Sequence, residues 1–324
     1  MRLVRSLGAR GYETEHIPSG NRPDAGTPMV SRAGGPRMHG QNEREKGPLP
    51  RGTAISPAGA RRSNFAMPAA ITTTPVSGHR GCVADVALVA REIPLFPVDR
   101  VLRLGPVAEA RATAATRIGW AAVFLKAYGL VAREMPVLRT WFVRGLWPRL
   151  ATSSESVATL AVNRTEGAEE RLCFARLQRP ESLPLAEVQA FVQACSTRPI
   201  AEMFKRQLEL EMMPGPVRRT ILRWNANSTS PKRPSRIGTF SLSTLAGQQA
   251  FNRFHPTLCT TSLSYGPLEP DGRCLVTLIA DHRVLDGAAA ARALERLGAT
   301  LTGAVAAELT NLRHRPGGPR EAAA

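Results

Sequence analysis

Hydrophobic and polar positions divide the chain into a patternless beginning and a strongly patterned remainder. From Met1 to about Gly78 no apolar period lasts more than a few residues, and Gly, Pro, Ser, Arg and Asn prevail. Such a stretch buries too little apolar surface to offset the entropy of ordering, so residues 1–80 are predicted to be a disordered basic tail. Order begins near Val83. Residues 96–104 suit a strand at a sheet edge, and 117–134 carry the period of a long, largely buried helix that ends before Pro136. Residues 156–163 and 171–177 are short strands around a Gly- and Glu-rich turn, a hairpin pattern. Helical spacing returns over 185–195 behind the first-turn proline Pro184, again over 200–212 beyond Pro199, and over 217–225, which is basic on one side and apolar on the other. Residues 227–235 are polar and Pro-rich and are predicted to be a surface loop. Three strands, 238–243, 258–265 and 273–280, precede a small, apolar helix at 288–297. The patterned region, 81–304, is predicted to be one domain, with 305–324 a C-terminal tail.

A chain of 324 residues with 43% hydrophobic content can fill a sizeable core. Its formal net charge of +17 raises nucleic acid or an anionic surface as a partner. The excess is Arg spread through tail, loops and helices, with no basic block and no recognisable nucleic-acid module, which counts against nucleic-acid binding. The five cysteines, Cys82, Cys173, Cys195, Cys259 and Cys274, show neither C-x-x-C pairs nor metal spacing, so free thiols in a reducing compartment and no metal are expected. Charged residues open the chain without an apolar stretch behind them, and Glu13, Glu15 and Asp24 count against a transit peptide. The best apolar run, 120–125, stops at Lys126, too short to span a membrane. A cytoplasmic protein is expected.

The chemistry concentrates after the last strand. That strand delivers His282 to a tight turn ahead of a helix. Asp286, four residues on, can cap the helix's free N–H groups or pair with a cation, and Gly287 permits close backbone approach. An imidazole held there suits general base catalysis near neutral pH. The string Asp281-His-Arg-Val-Leu-Asp-Gly-Ala288 resembles the active-site signature of the dihydrolipoamide acyltransferases, the acyl-transferring components of 2-oxo acid dehydrogenase complexes. Its shorter core, His282-x-x-x-Asp286-Gly287, is shared with chloramphenicol acetyltransferase and with peptide-synthesis condensation domains. Upstream, Gly238-Thr-Phe-Ser-Leu-Ser-Thr-Leu245 resembles that family's second landmark, G-T-F-T-I-S-N-L-G, with Thr244 in place of Asn and Ala246 in place of Gly. The resemblance covers about residues 97–301.

What the resemblance implies is specific. The fold would be α/β (α+β), two-layer, with a chloramphenicol acetyltransferase-like mixed sheet covered by helices. His282 would be the general base, Ser243 would donate a hydrogen bond to the oxyanion, and Asp286 would fix the loop by pairing with an arginine, Arg283 or Arg117. Coenzyme A, as acyl-CoA, would be a substrate, and its polyanionic character would suit a basic rim. A homotrimer is implied, with the His of one subunit facing the Ser of its neighbour. The chain shows no lipoyl domain: Lys46, the only lysine of the tail, has no strand pattern on either side. The acceptor is therefore left open among a lipoyl group on another protein, an alcohol, an amine or a lipid precursor. Without a G-x-S-x-G elbow, direct transfer is expected in place of a covalent acyl-enzyme. His16, His39, His79 and His314 lie in tails, and His255, in Phe254-His-Pro256, is expected to cap or pack. Two rival readings stand beside the enzyme: a non-catalytic trimeric scaffold that binds acyl-CoA or a dehydrogenase subunit, and a basic protein that binds nucleic acid or a membrane surface.

Overall fold

Period-two and period-3.6 segments alternate irregularly along this chain, and the sheet they build is accordingly mixed. The computed structural model describes residues 71–167 and 169–312. Most of the expected tails, with His16, His39, Lys46 and His314, lies outside the described residues; His79, expected in the tail, is instead buried in the first helix. In chain order the elements are α1 (Gly78–Ala90), β1 (Leu95–Arg103), α2 (Gly105–Ala112), α3 (Trp120–Glu134), β2 (Thr140–Val143), β3 (Arg149–Thr152), β4 (Val157–Glu166) and β5 (Glu169–Gln178). Then come α4 (Leu185–Thr197), α5 (Ile200–Met203), α6 (Lys205–Glu211), α7 (Gly215–Ala226), α8 (Arg233–Ile237), β6 (Phe240–Leu242), β7 (Thr261–Leu268), β8 (Arg273–Asp281), α9 (Gly287–Thr300) and α10 (Ala306–Asn311).

Six strands form one sheet in the order β1-β8-β7-β6-β4-β5, and β2 and β3 pair separately. β6 runs parallel to both its neighbours, β4 and β7, while the other pairs are antiparallel. This is the expected α/β (α+β) class, a mixed sheet covered by helices. One face buries Ala158, Leu160, Phe240, Leu242, Leu263 and Leu278 in the main core. The helices α3 and α9 pack there; α3 is buried nearly all round, and α9 buries Ala290, Ala293, Leu294 and Leu297 at helical spacing. On the other face, side chains of α1, α6 and α7 stand over the β5 end and leave a cavity of about 1150 Å³ above the strands.

Several elements depart from expectation for identifiable reasons. The helix expected over 200–212 breaks at Phe204, whose backbone leaves the helical region (φ −121°) while its ring is buried with Cys173, Ala175, Cys195 and Ile200. The polar segment 227–235 is not wholly a surface loop. It runs into α8, where Arg233 is 2% exposed, donates to the carbonyls of Gly238 (2.6 Å) and Leu258 (3.2 Å), and lies over the Trp141 ring at 4.5 Å. α2, absent from the sequence reading, starts with Pro106 in its first turn. Past residue 304 the chain stays helical, and Val305 and Leu309 are fully buried, so the folded unit runs beyond the expected boundary.

Candidate active site

The turn after β8 is locked by three interactions that come from the motif itself. Asp281, 3% exposed, takes both forks of Arg283, with Nε 2.9 Å from Oδ1 and Nη2 2.7 Å from Oδ2. The Arg283 guanidinium also lies 4.7 Å from the Phe142 ring centroid on β2. The backbone N–H groups of Val284 and Leu285 both donate to the Asp281 carbonyl, closing the turn. Asp286 then caps α9, its Oδ1 accepting from the Ala289 N–H at 2.7 Å. Of the two roles open to this carboxylate, the cap is the one it fills. Neither Arg283 nor Arg117 pairs with it: Arg283 is committed to Asp281, and Arg117 is exposed with no ion pair among the described residues.

Between these locks His282 points outward. Its N–H donates to the Pro94 carbonyl at 2.9 Å, and its ring rests against Phe96 with centroids 4.6 Å apart. The side chain is exposed, and neither ring nitrogen has a hydrogen-bond partner among the described residues. A backbone anchor, an aromatic wall and free nitrogens leave the imidazole oriented and available.

Ser243 follows β6 and is positioned by the landmark around it. Gly238, with φ +100°, sits where a Cβ would collide with Thr159 Oγ1, so only glycine lets the strand approach so closely. The Ser243 N–H donates to Leu263 O at 3.0 Å, which holds its backbone against β7, and its hydroxyl has no partner among the described residues. Thr244, in the place of the usual Asn, donates to Tyr265 O (2.9 Å) and accepts from the Ala246 N–H (3.1 Å), pinning the turn that follows. Ser243 lines the large cavity together with Ser241, Phe174, Leu222 and His255.

The two candidate residues do not meet within one chain. Leu242 is level with Leu263, and Leu263 with Leu278, which places Ser243 level with Thr277. His282 lies five residues further along β8, a separation of roughly 17 Å along the strands at about 3.4 Å per residue. The cavity lining does not include His282.

His255 is more than a packing residue. It lines the cavity, its Nε2 lies 2.6 Å from Ser262 Oγ, and its Nδ1 is buried without a partner. Ser262 in turn accepts from Ser241 Oγ at 2.7 Å. Burial pushes the His255 pKa down to about 4. The alternation of Ser241, Ser262 and Ser264 on strands otherwise apolar was the signal for a polar patch; the partner of His255 was not readable. All five cysteines are free and buried, and burial raises the thiols of Cys82, Cys173, Cys195 and Cys274 to about 11. Among the described residues no cluster of His, Cys, Asp and Glu is placed to hold a metal ion, and no helix is long and apolar enough to cross a membrane.

No family model and no curated protein matches the sequence. Solved structures do share the fold. The chain is similar to dihydrolipoamide acetyltransferase of Azotobacter vinelandii, with 18% identity and a TM-score of 0.54 over 78% of this chain and 99% of that one. It is similar to the truncated catalytic core of the 2-oxoacid dehydrogenase multienzyme complex of Thermoplasma acidophilum (13% identity, TM-score 0.54, 72% and 99% covered). A probable dihydrolipoamide acetyltransferase of Listeria monocytogenes gives 15% identity and a TM-score of 0.50 over 71% and 94% of the two chains. The chain thus has the fold of such catalytic cores.

Proposed function

We propose that the protein is an acyltransferase that moves an acyl group between coenzyme A and a thiol, hydroxyl or amine acceptor, working as a homotrimer in which His282 of one copy meets Ser243 of the next. One observation carries this reading: two side chains with unengaged polar atoms, each at the end of its own anchored strand, stand too far apart to act on one bond within a single chain. A neighbouring copy supplies the missing half in the simplest way, and the structures sharing the fold include the cubic core of a pyruvate dehydrogenase complex, an assembly of many copies. The Azotobacter enzyme was solved to define the catalytic roles of a serine, a histidine and an asparagine, the last two four residues apart, as His282 and Asp286 are here.

The chemistry follows from these positions. A ring nitrogen of His282 takes the proton from the acceptor as its S, O or N attacks the thioester carbonyl. The carbonyl oxygen becomes an oxyanion and receives a hydrogen bond from the Ser243 hydroxyl. Collapse of the tetrahedral intermediate breaks the C–S bond, and the departing CoA thiolate recovers the proton from His282. Asp281, Arg283 and Asp286 hold the turn so that the ring keeps its aim, and none of them needs to change protonation. The chain's formal net charge of +17 suits the phosphates of CoA.

Release of free CoA from a panel of acyl-CoAs, with and without dihydrolipoamide, tests this. The wild type should release CoA in an acceptor-dependent way, and His282→Ala should lower the rate at least ~100-fold with an unchanged Tm. Wild-type turnover in His282→Ala would remove the proposal.

A further inference from the structure

The cavity beside Ser243 has apolar walls and a polar line across its floor. Arg176 pairs with Thr159, Thr159 with Ser241, and Ser241 with Ser262, so these four residues form one transverse row on the cavity face of β5, β4, β6 and β7. His255 closes the row at its β7 end. The walls are Val83 and Val86 from α1, Leu210 from α6, and Ile221 from α7.

Arg176, at the other end of the row, lacks a counter-ion. Its Nη1 donates to the Phe174 carbonyl at 3.2 Å, while its Nε is shut off from solvent with no partner. No ion pair engages it among the described residues. The one carboxylate of the lining, Glu209, is exposed and unconnected to it, and the nearby charge of Arg206 is of the same sign. Loss of hydration pulls its proton affinity below the ordinary guanidinium range. A cation placed against apolar walls without an anion is costly, and chains retain such groups where a ligand completes them. At the opposite end His255 is held neutral by burial and offers no charge. The other cations of the lining, Arg206, Lys232 and Arg236, are exposed, so an anion drawn in among the apolar walls meets Arg176.

We propose that the acceptor bound in this cavity is an amphipathic molecule carrying a carboxylate at the end remote from its nucleophile, with Arg176 gripping that carboxylate and the apolar walls holding the chain between. The nucleophilic end rests on the acyltransferase reading; the carboxylate end rests on the cavity and Arg176 alone. Arg176 is two strands from Ser241, and Ser243 is two residues beyond Ser241. At about 4.8 Å per strand and 3.4 Å per residue, the two sites are roughly 12 Å apart. That length suits a medium-chain acid of about eight to ten chain atoms ending in a thiol or hydroxyl. A planar guanidinium matches a carboxylate by two parallel hydrogen bonds, and its single charge neutralises a carboxylate fully, whereas a phosphate dianion would keep charge unpaired in an apolar site.

Two pairs of probes, each differing only in carboxylate against amide, decide the matter. In titration calorimetry the wild type should bind octanoate at least about tenfold more tightly than octanamide. Arg176→Gln should remove the difference by weakening octanoate alone. In the transfer assay dihydrolipoate should exceed dihydrolipoamide in kcat/KM by a similar factor in the wild type and not in Arg176→Gln. Equal affinity for octanoate and octanamide in the wild type overturns the proposal, and this comparison stands even where Arg176→Gln fails to fold. An octanoate preference untouched by Arg176→Gln in a folded variant overturns it as well. Octanoate selectivity without transfer to any thiol, hydroxyl or amine acceptor would retain the carboxylate site and remove the acyltransferase reading; equal transfer to both thiols would do the reverse.

Discussion

At the scale of single residues the motif was readable and its partners were not. His282 and Asp286 could be singled out by the strand-to-helix turn that carries them, and Ser243 only because its stretch resembles a known family's landmark. Which side chain each would touch depends on what the fold brings across. Arg283 turned back two residues to Asp281 because a buried carboxylate and the Phe142 ring were both within reach, leaving Asp286 to cap its helix. His255 shows the same limit, since a histidine in an irregular loop gives no sign of Ser262 beneath it. Its burial has a measurable consequence. The folded pKa of about 4 lies below the ordinary value of about 6.5, so the unfolded chain takes up the proton first as pH falls. The stabilisation from a neutral His255 is complete above pH ~6.5 and is lost as pH drops toward 4, on the order of 3 kcal/mol. Thermal melts of the wild type should fall across that window more steeply than those of His255→Gln, and parallel curves for the two would contradict the assignment.

Elements followed the hydrophobic pattern well where the apolar residues of a segment enter the core. The hairpin of β4 and β5 and the helices α3, α4, α7 and α9 lie within a few residues of their predicted spans. Errors arose where a side chain overrode the period. Phe204 broke a continuous helical pattern to reach a small satellite core, and Arg233, polar by composition, was drawn inside by two carbonyls and an indole. Asp286 offers a test at this scale. If the carboxylate acts through the cap, Asp286→Asn should keep stability within a few tenths of a kcal/mol and activity within a few-fold, because asparagine caps as well as aspartate. Asp286→Ala should cost about 1 kcal/mol and loosen the turn that aims His282. Chemical denaturation and transfer rates on both variants check this; an Asn variant as impaired as the Ala variant would point to an ionic role for Asp286 in the assembled protein.

For the whole molecule, the sequence pattern alone could not order the strands. The sheet places β8 between β1 and β7 and sets β6 parallel between β4 and β7, pairings between segments far apart in the chain. The mixed sheet was expected only because two motifs resembled a known family, and the shared fold at 13–18% identity bears out that part. The topology also has a functional consequence. β6 and β8 run in opposite directions, so the residues that follow their C-terminal ends emerge at opposite ends of the strands. An active centre that uses both His282 and Ser243 then has to be built between copies, as cyclic assembly allows. Subunit mixing tests this most directly. His282→Ala and Ser243→Ala should each be nearly inactive, the latter by about 100- to 1000-fold. Denatured together in equal amounts and refolded, they should recover about a quarter of wild-type activity, since about one interface in four pairs an intact His282 with an intact Ser243. Recovery no greater than the sum of the two separate variants would contradict a centre shared between neighbouring copies.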